Sequence, residues 1–203
     1  MKRSPKRKRA RRNVSSERAL RSGEMAGDTS LSPLLLRVGM GNDLHPLADG
    51  RKLILGGVHV PFEKGPVGHS DGDVLSHAIC DALLGAAGLG DIGRHFPNTS
   101  PRWKDASSLQ FLHQVRRLLD EAGYSIVNID ATVGLERPKL APHIRSMERK
   151  VAAALSLKAT QVSVKAKSGE GLDAVGRGEA IRTDAVTLLQ GPLLAHLVRR
   201  HNT

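Results

Sequence analysis

The feature that most restricts how this chain can fold is a three-point pattern of Asp43, His45 and His77. Alternate residues of a strand project to the same side, so Asp43 and His45 leave one face together. His77 lies in VLSHAICDALLGAAG, which reads as helix, with Val74, Ala78 and Ala82 on one stripe and Leu75, Ile79 and Leu83 beside it. A strand and a helix must therefore lie side by side if the carboxylate and the two imidazoles are to meet. Three protein ligands with one position left open is how catalytic zinc is held, whereas structural zinc is usually closed by four. Each piece alone is bland. Asp-x-His is a common strand end entering a turn, and a helical histidine is more often packed or solvated. Together they point to metal-centred chemistry on a polar substrate.

The same helix offers support for the imidazole. His77 stands four residues after Asp73 and four before Asp81, on one face, so either acid is expected to hold it. Asp73 alone would also suit the helix dipole. The helix is expected to begin near Ser70 or Asp71, with Ser70 and Asp73 in a capping-box relation. Its first N–H groups favour phosphate, and His69 beside them can donate to a phosphate oxygen. A second phosphate-friendly element runs from Lys165 to Glu179, with Lys165, Lys167, Ser168, several glycines and Arg177. Glycines admit a ligand close to the backbone, and Arg177 can grip phosphate with two hydrogen bonds. Glu170 could hold a hard divalent cation there. That loop by itself is equally a solvated turn.

Periodicity and turn formers order the rest. Leu34 to Gly41 reads as a strand, and Lys52–Gly56 with Val58–Pro61 as a hairpin around Gly56-Gly57. Glu63 to Gly72 is a loop, and the first helix stops at Gly88 to Gly90. After a turn-rich loop, Ser107–Ala122 is a helix, Tyr124–Leu135 a long strand, Pro142–Leu155 a helix and Gln161–Lys165 a strand. Glu179 to Leu189 is expected to be a last helix. This gives an α/β (α+β sandwich) class: one mixed sheet with helices covering mainly one face. The other sheet face needs burial too, which self-association would supply. Aromatic residues are only 2%, so the core is built from Leu, Val, Ile and Ala.

Charge separates a tail from a body. Residues 1–24 hold ten Lys/Arg against two acids, so they carry eight of the chain's eleven net positive charges. Residues 1–33 are expected to be a disordered basic extension, residues 34–191 one domain, and residues 192–203 a second tail. The basic block could bind nucleic acid by counterion release, act as an organellar transit segment, or be a dispensable extension with Met25 as the true start. The last is preferred, because nothing in the body is built for nucleic acid. No apolar stretch reaches the length of a membrane span, and the tail has no hydrophobic centre for a secretory signal. The single cysteine, Cys80, allows no internal disulfide and suits a cytoplasmic setting.

The segments Gly41-Asn42-Asp43-Leu44-His45, His69-Ser70-Asp71-Gly72-Asp73 through His77, Asp81-Ala82-Leu83-Leu84-Gly85, Gly90-Asp91-Ile92-Gly93, Phe96-Pro97, Arg137-Pro138-Lys139, Pro142-His143 and Gly176-Arg177-Gly178-Glu179 closely resemble the 2-C-methyl-D-erythritol 2,4-cyclodiphosphate synthase family. The likeness spans about Arg37 to Gln190 and leaves out the basic tail. It implies conversion of 4-diphosphocytidyl-2-C-methyl-D-erythritol 2-phosphate into the cyclic diphosphate and CMP, in the non-mevalonate isoprenoid route. It implies a homotrimer, with sheets packed inward and active sites between subunits. It implies Asp43, His45 and His77 as ligands of one zinc, and Glu170 as the ligand of a Mg²⁺ or Mn²⁺. His69 and Ser168 would act on the phosphates. Asp91, Ile92, Gly93, Phe96, Pro97, Asn98, Thr99 and Ser100 would contact the methylerythritol. Leu135, Glu136, Arg137, Pro138, Lys139 and Leu140 would form the cytidine pocket. Ser70, Lys167, Gly169, Ala174 and Arg177 would complete the substrate contacts.

The chain departs from the family pattern in places. Lys167-Ser168-Gly169 replaces a Thr-rich loop start, Ala174 an aromatic, Asn98 and Ser100 common acids, and Asn42 a frequent aromatic. Two other functions compete. A nucleic-acid-associated protein would lose salt-sensitive binding on removal of residues 1–24. A zinc phosphohydrolase would release CMP with an open-chain product.

Overall fold

The computed structural model describes residues 34–192, so the expectations for the basic extension and for residues 193–203 lie outside the described residues. The described residues begin with a long strand, β1 (Leu34–Asp49), which carries the Asp-x-His pair in its interior, not at its end. A hairpin follows, β2 (Leu53–Leu55) and β3 (Val58–Val60), with Gly56 and Gly57 at φ of 54° and 68°. Two consecutive positive φ values are what a tight turn between twisted strands requires. A short strand, β4 (Lys64–Pro66), runs back along the end of β1, inside the stretch expected to be loop.

The first helix, α1 (Val74–Ala87), starts later than expected. Its cap is Asp73, whose side chain accepts from Ser76 N. It ends at Gly88, which takes the left-handed conformation that glycine adopts without strain. A one-turn helix, α2 (Ile92–His95), precedes α3 (Leu109–Glu121), which buries Phe111, Leu112, Val115 and Leu119 at helical spacing. Then come β5 (Ser125–Gly134), α4 (Ile144–Ala154) and β6 (Val162–Lys167).

The expected last helix is instead the strand β7 (Ala180–Pro192). Ile181, Thr183, Ala185, Thr187 and Leu189 are buried while Arg182 and Val186 are exposed, the period of two of a strand. It pairs antiparallel with β1 on one side and with β5 on the other, so it sits at the middle of the sheet. Hydrogen bonding from both neighbours outweighs the helix-compatible run AVTLLQ.

The sheet order is β4-β1-β7-β5-β6, with β5 and β6 parallel and the other pairs antiparallel. α1 packs on β1 and β7, and α4 on β6. Glu148 of α4 accepts from Val164 N, so a helix covers the open edge of β6. The other face of β1 and β7 is bare and largely apolar, with Asn42 and the Arg182–Asp184 pair on it: Leu36, Val38, Met40, Leu44 and Val186 are 57%, 71%, 66%, 60% and 45% exposed.

Candidate metal centre

Glycine sets the distance between β1 and α1. A Cβ on Gly41 would lie 2.2 Å from the Ala78 carbonyl oxygen, and one on Gly39 would lie 2.0 Å from that of Ala82. The helix therefore rides directly on the strand backbone, on the face shared by Asp43 and His45. His77, one helical position before Ala78, meets them. One Asp43 oxygen, Oδ2, is 2.9 Å from His77 Nδ1 and 3.0 Å from His45 Nε2. Donor atoms of all three residues lie within 4.8 Å of one another.

Each imidazole is fixed through its other nitrogen. His45 Nδ1 is 2.6 Å from the Val67 carbonyl, which can only accept, so that nitrogen carries a proton and Nε2 is the one turned toward Asp43. His77 Nε2 is 2.9 Å from Ser108 Oγ and 3.1 Å from Ser70 Oγ. Neither Asp73 nor Asp81 holds His77, contrary to the helical spacing. Asp73 is fully buried and accepts from Gly56 N, Gly57 N, Ser76 N and Ser76 Oγ, tying the hairpin turn to the start of α1. Asp81 accepts from Ile92 N at 2.6 Å. Ser108 was not singled out by the sequence, because it sits beside Ser107 at an ordinary helix start.

Beside these three side chains opens a cavity of about 650 Å³. His45, Gly68, His69, Ser70, His77, Ile92, Gly93, Phe96, Pro97, Asn98 and Thr99 line it, with Trp103 and Phe111 closing the apolar side. His77 stacks on Phe111, and Phe111 on Phe96 at 4.7 Å between ring centres. Asp91 and Ser100 flank this wall. Asp91 caps α2 through Arg94 N, and Ser100 precedes the turn Pro101–Trp103. The structure thus brings most of the expected methylerythritol contacts around the metal set.

The other expected residues gather elsewhere. Leu135, Glu136, Pro138, Lys139, Leu140, Lys167 and Ser168 line a second cavity of about 260 Å³. Gly169 N donates to Glu136, and Ser168 Oγ donates to Glu170 at 2.6 Å. Glu136, Arg137 and Arg177 line a third cavity of about 310 Å³, where Arg177 pairs with Glu179. Ala174 only anchors this loop, its carbonyl accepting from Glu179 and Ala180 N. Asp43 aligns with Thr183, Thr183 with Val133 and Val133 with Ala166. Three strand spacings of about 4.8 Å put the strand ahead of Ser168 about 14 Å from the metal set.

Burial would raise the Asp43 carboxyl, but hydrogen bonds from His45 and His77 overcome it and hold it well below the usual carboxylate range. Donating a hydrogen bond to Asp43 raises His45 against the opposing effect of burial. One ionised oxygen and two ring nitrogens, each ring held through its far nitrogen, are a donor set that fits a divalent ion of borderline softness.

The sequence model of the YgbB family matches residues 36–190. The chain is 58% identical over 154 residues to 2-C-methyl-D-erythritol 2,4-cyclodiphosphate synthase of Desulfosudis oleivorans, covering 76% of this chain and 92% of that one. It is 54% identical to the synthase of Bacillus pumilus over 156 residues, covering 77% and 99%. A solved 2C-methyl-D-erythritol-2,4-cyclodiphosphate synthase in a CDP-bound form superposes with a TM-score of 0.70 at 39% identity, over 75% of this chain and 99% of that one. The bifunctional IspDF of Campylobacter jejuni superposes with a TM-score of 0.76 at 37% identity over 78% of this chain, which spans 43% of that longer protein. A family model matched over residues 36–190, relatives at 54% and 58% identity and a shared fold place the chain in the 2-C-methyl-D-erythritol 2,4-cyclodiphosphate synthase family.

Proposed function

We propose that this chain is a phosphorus–oxygen lyase that closes 2-C-methyl-D-erythritol 2,4-cyclodiphosphate from 4-diphosphocytidyl-2-C-methyl-D-erythritol 2-phosphate, with release of CMP. The observation that carries this reading is the convergence of Asp43, His45 and His77 at the mouth of a polar and aromatic cavity, in a chain of this family. An oxygen of the substrate's 2-phosphate attacks the β-phosphorus. The bond from that phosphorus to the oxygen bridging to the CMP phosphate breaks, and the oxygen leaves with CMP. The substrate brings its own nucleophile, so the protein's task is alignment and charge neutralisation.

Asp43, His45 and His77 would hold a zinc, and Glu170 a Mg²⁺ or Mn²⁺. Such ions neutralise phosphate charge and polarise the phosphorus under attack. His69 and the Ser168 hydroxyl donate to phosphate oxygens. Ser70, Asp91, Ile92, Gly93, Phe96, Pro97, Asn98, Thr99 and Ser100 hold the methylerythritol. Residues 135–140 take the cytidine, and Lys167, Gly169, Ala174 and Arg177 border the phosphates. The roughly 14 Å between the two groups of residues supports a site completed by a neighbouring subunit. The bare apolar face of β1 and β7 supports a homotrimer with its sheets turned inward. The catalytic domain would run from residue 34 to 191. Among the described residues no helix is long and apolar enough to cross a membrane, and the buried lone Cys80 fits a cytoplasmic setting. Deleting residues 1–24 then leaves turnover unchanged.

Incubation with the cytidine-linked substrate, followed by phosphorus NMR, tests the reading. A cyclic diphosphate and CMP in equal amounts are expected. CMP with an open-chain phosphate would instead indicate a hydrolase.

A further inference from the structure

We infer that Asp71 is a positioning residue for the metal centre: acting through Ser108, it keeps an acceptor ready for His77 Nε2–H, the tautomer in which Nδ1 offers its lone pair to an ion held with Asp43 and His45. Ser108 Oγ donates its single proton to Asp71 Oδ1, and Ser108 N donates to Asp71 Oδ2 at 3.0 Å. With that proton spent, the hydroxyl can only accept from His77 Nε2, 2.9 Å away. Ser70 Oγ, 3.1 Å from the same nitrogen, has no carboxylate to take its proton and can donate or accept. An ion at Nδ1, which is 2.9 Å from the shared Asp43 oxygen, leaves the ring's proton on Nε2, where the Ser108 oxygen can take it.

Two features show that this arrangement is built. Ser108 is completely buried at the start of α3, a place where a serine side chain ordinarily caps the helix, yet it makes no capping hydrogen bond. The backbone beside it is also clamped. Asp71 N donates to the Ala106 carbonyl and Asp105 N to the His69 carbonyl, holding the segment before α1 against the segment before α3. The two imidazoles are thus fixed by different means. The Val67 carbonyl can only accept, so it dictates the His45 tautomer unaided. A hydroxyl can donate or accept, so Ser108 is a dependable acceptor for His77 Nε2–H only while Asp71 takes its proton. Outer partners of this type commonly change metal affinity by 10–100-fold when lost.

The inference rests on the metal reading. Zn²⁺ affinity of the purified protein, read by chelator competition, is expected to fall roughly tenfold to a hundredfold in Asp71→Asn, whose amide can donate to the Ser108 hydroxyl and reverse its polarity. Melting of the metal-free protein should be little changed. Ser108→Ala serves as the second variant and should show the same loss of affinity. Unaltered Zn²⁺ affinity in both variants would overturn the inference while leaving the metal reading standing. Wild type that binds no Zn²⁺ would overturn the metal reading, and the inference with it.

Discussion

The Asp43–His45–His77 centre and the loop from Ser168 to Arg177 are both assigned to phosphate, yet their polar groups are held in opposite ways. Around the ligands, each distal ring nitrogen is bonded to a backbone carbonyl or a buried hydroxyl, and α1 rests on strand backbone. In the loop, the polar side chains satisfy one another at the surface: Ser168 with Glu170, and Arg177 with Glu179. Glu170 itself sits at a φ of 50°, in the region that favours glycine. Exposed pairs of this sort add little to stability, so they can be exchanged for phosphate or a cation at small cost. The first region is preorganised within one chain, and the second is arranged to change partners. Substitutions in the first should disturb folding or metal content as well as chemistry, whereas those in the second should disturb chemistry alone.

The largest effect expected is that of His77→Ala. It should abolish stoichiometric zinc, measured by elemental analysis, and lower turnover on the order of 10³-fold. Full activity in a zinc-free variant would break the comparison at its strongest point. Asp73→Ala comes next. It strands the N–H groups of Gly56, Gly57 and Ser76 in a dry interior and should cost about 3 kcal/mol in urea unfolding. A loss below about 1 kcal/mol would mean that the hairpin does not lean on that carboxylate. On the loop side, Glu170→Gln should raise the Mg²⁺ or Mn²⁺ concentration for half-maximal rate about tenfold with no change in melting temperature. An unchanged metal titration would remove its assigned role. The smallest effect is expected at Thr183, which faces Asp43 across the β1–β7 ladder. Its buried hydroxyl is the unpaired side-chain oxygen among the described residues. Thr183→Val should be neutral or stabilise by up to about 1 kcal/mol, and a marked loss would show that the hydroxyl is needed.

Local spacing made part of this molecule legible. The Asp-x-His pair, the α1 stripe, the Gly56-Gly57 hairpin and the Gly88 stop follow from short-range rules, and the structure has all four. Long-range partners were hidden. β7 reads as helix because Ala185, Leu188 and Leu189 also suit a helical stripe; only its two neighbouring strands decide otherwise. The acids at four-residue spacing from His77 looked like its supports, but Asp73 is drawn to the hairpin turn and Asp81 to Ile92. The true supports, Ser70 and Ser108, come from outside the helix, and Ser108 lies 31 positions away with nothing beside it to mark it. Most expected site residues do border cavities. No spacing rule indicated that they divide between separate hollows on opposite sides of two strands.

Gly39 and Gly41 have one more consequence. Where a helix rests on side chains, the gap beneath it can widen or shrink as those side chains are exchanged. Here main-chain atoms touch main-chain atoms, and the separation is fixed by van der Waals radii that no substitution elsewhere can alter. The interior could be rebuilt residue by residue while the reach from Asp43 to His77 stayed constant.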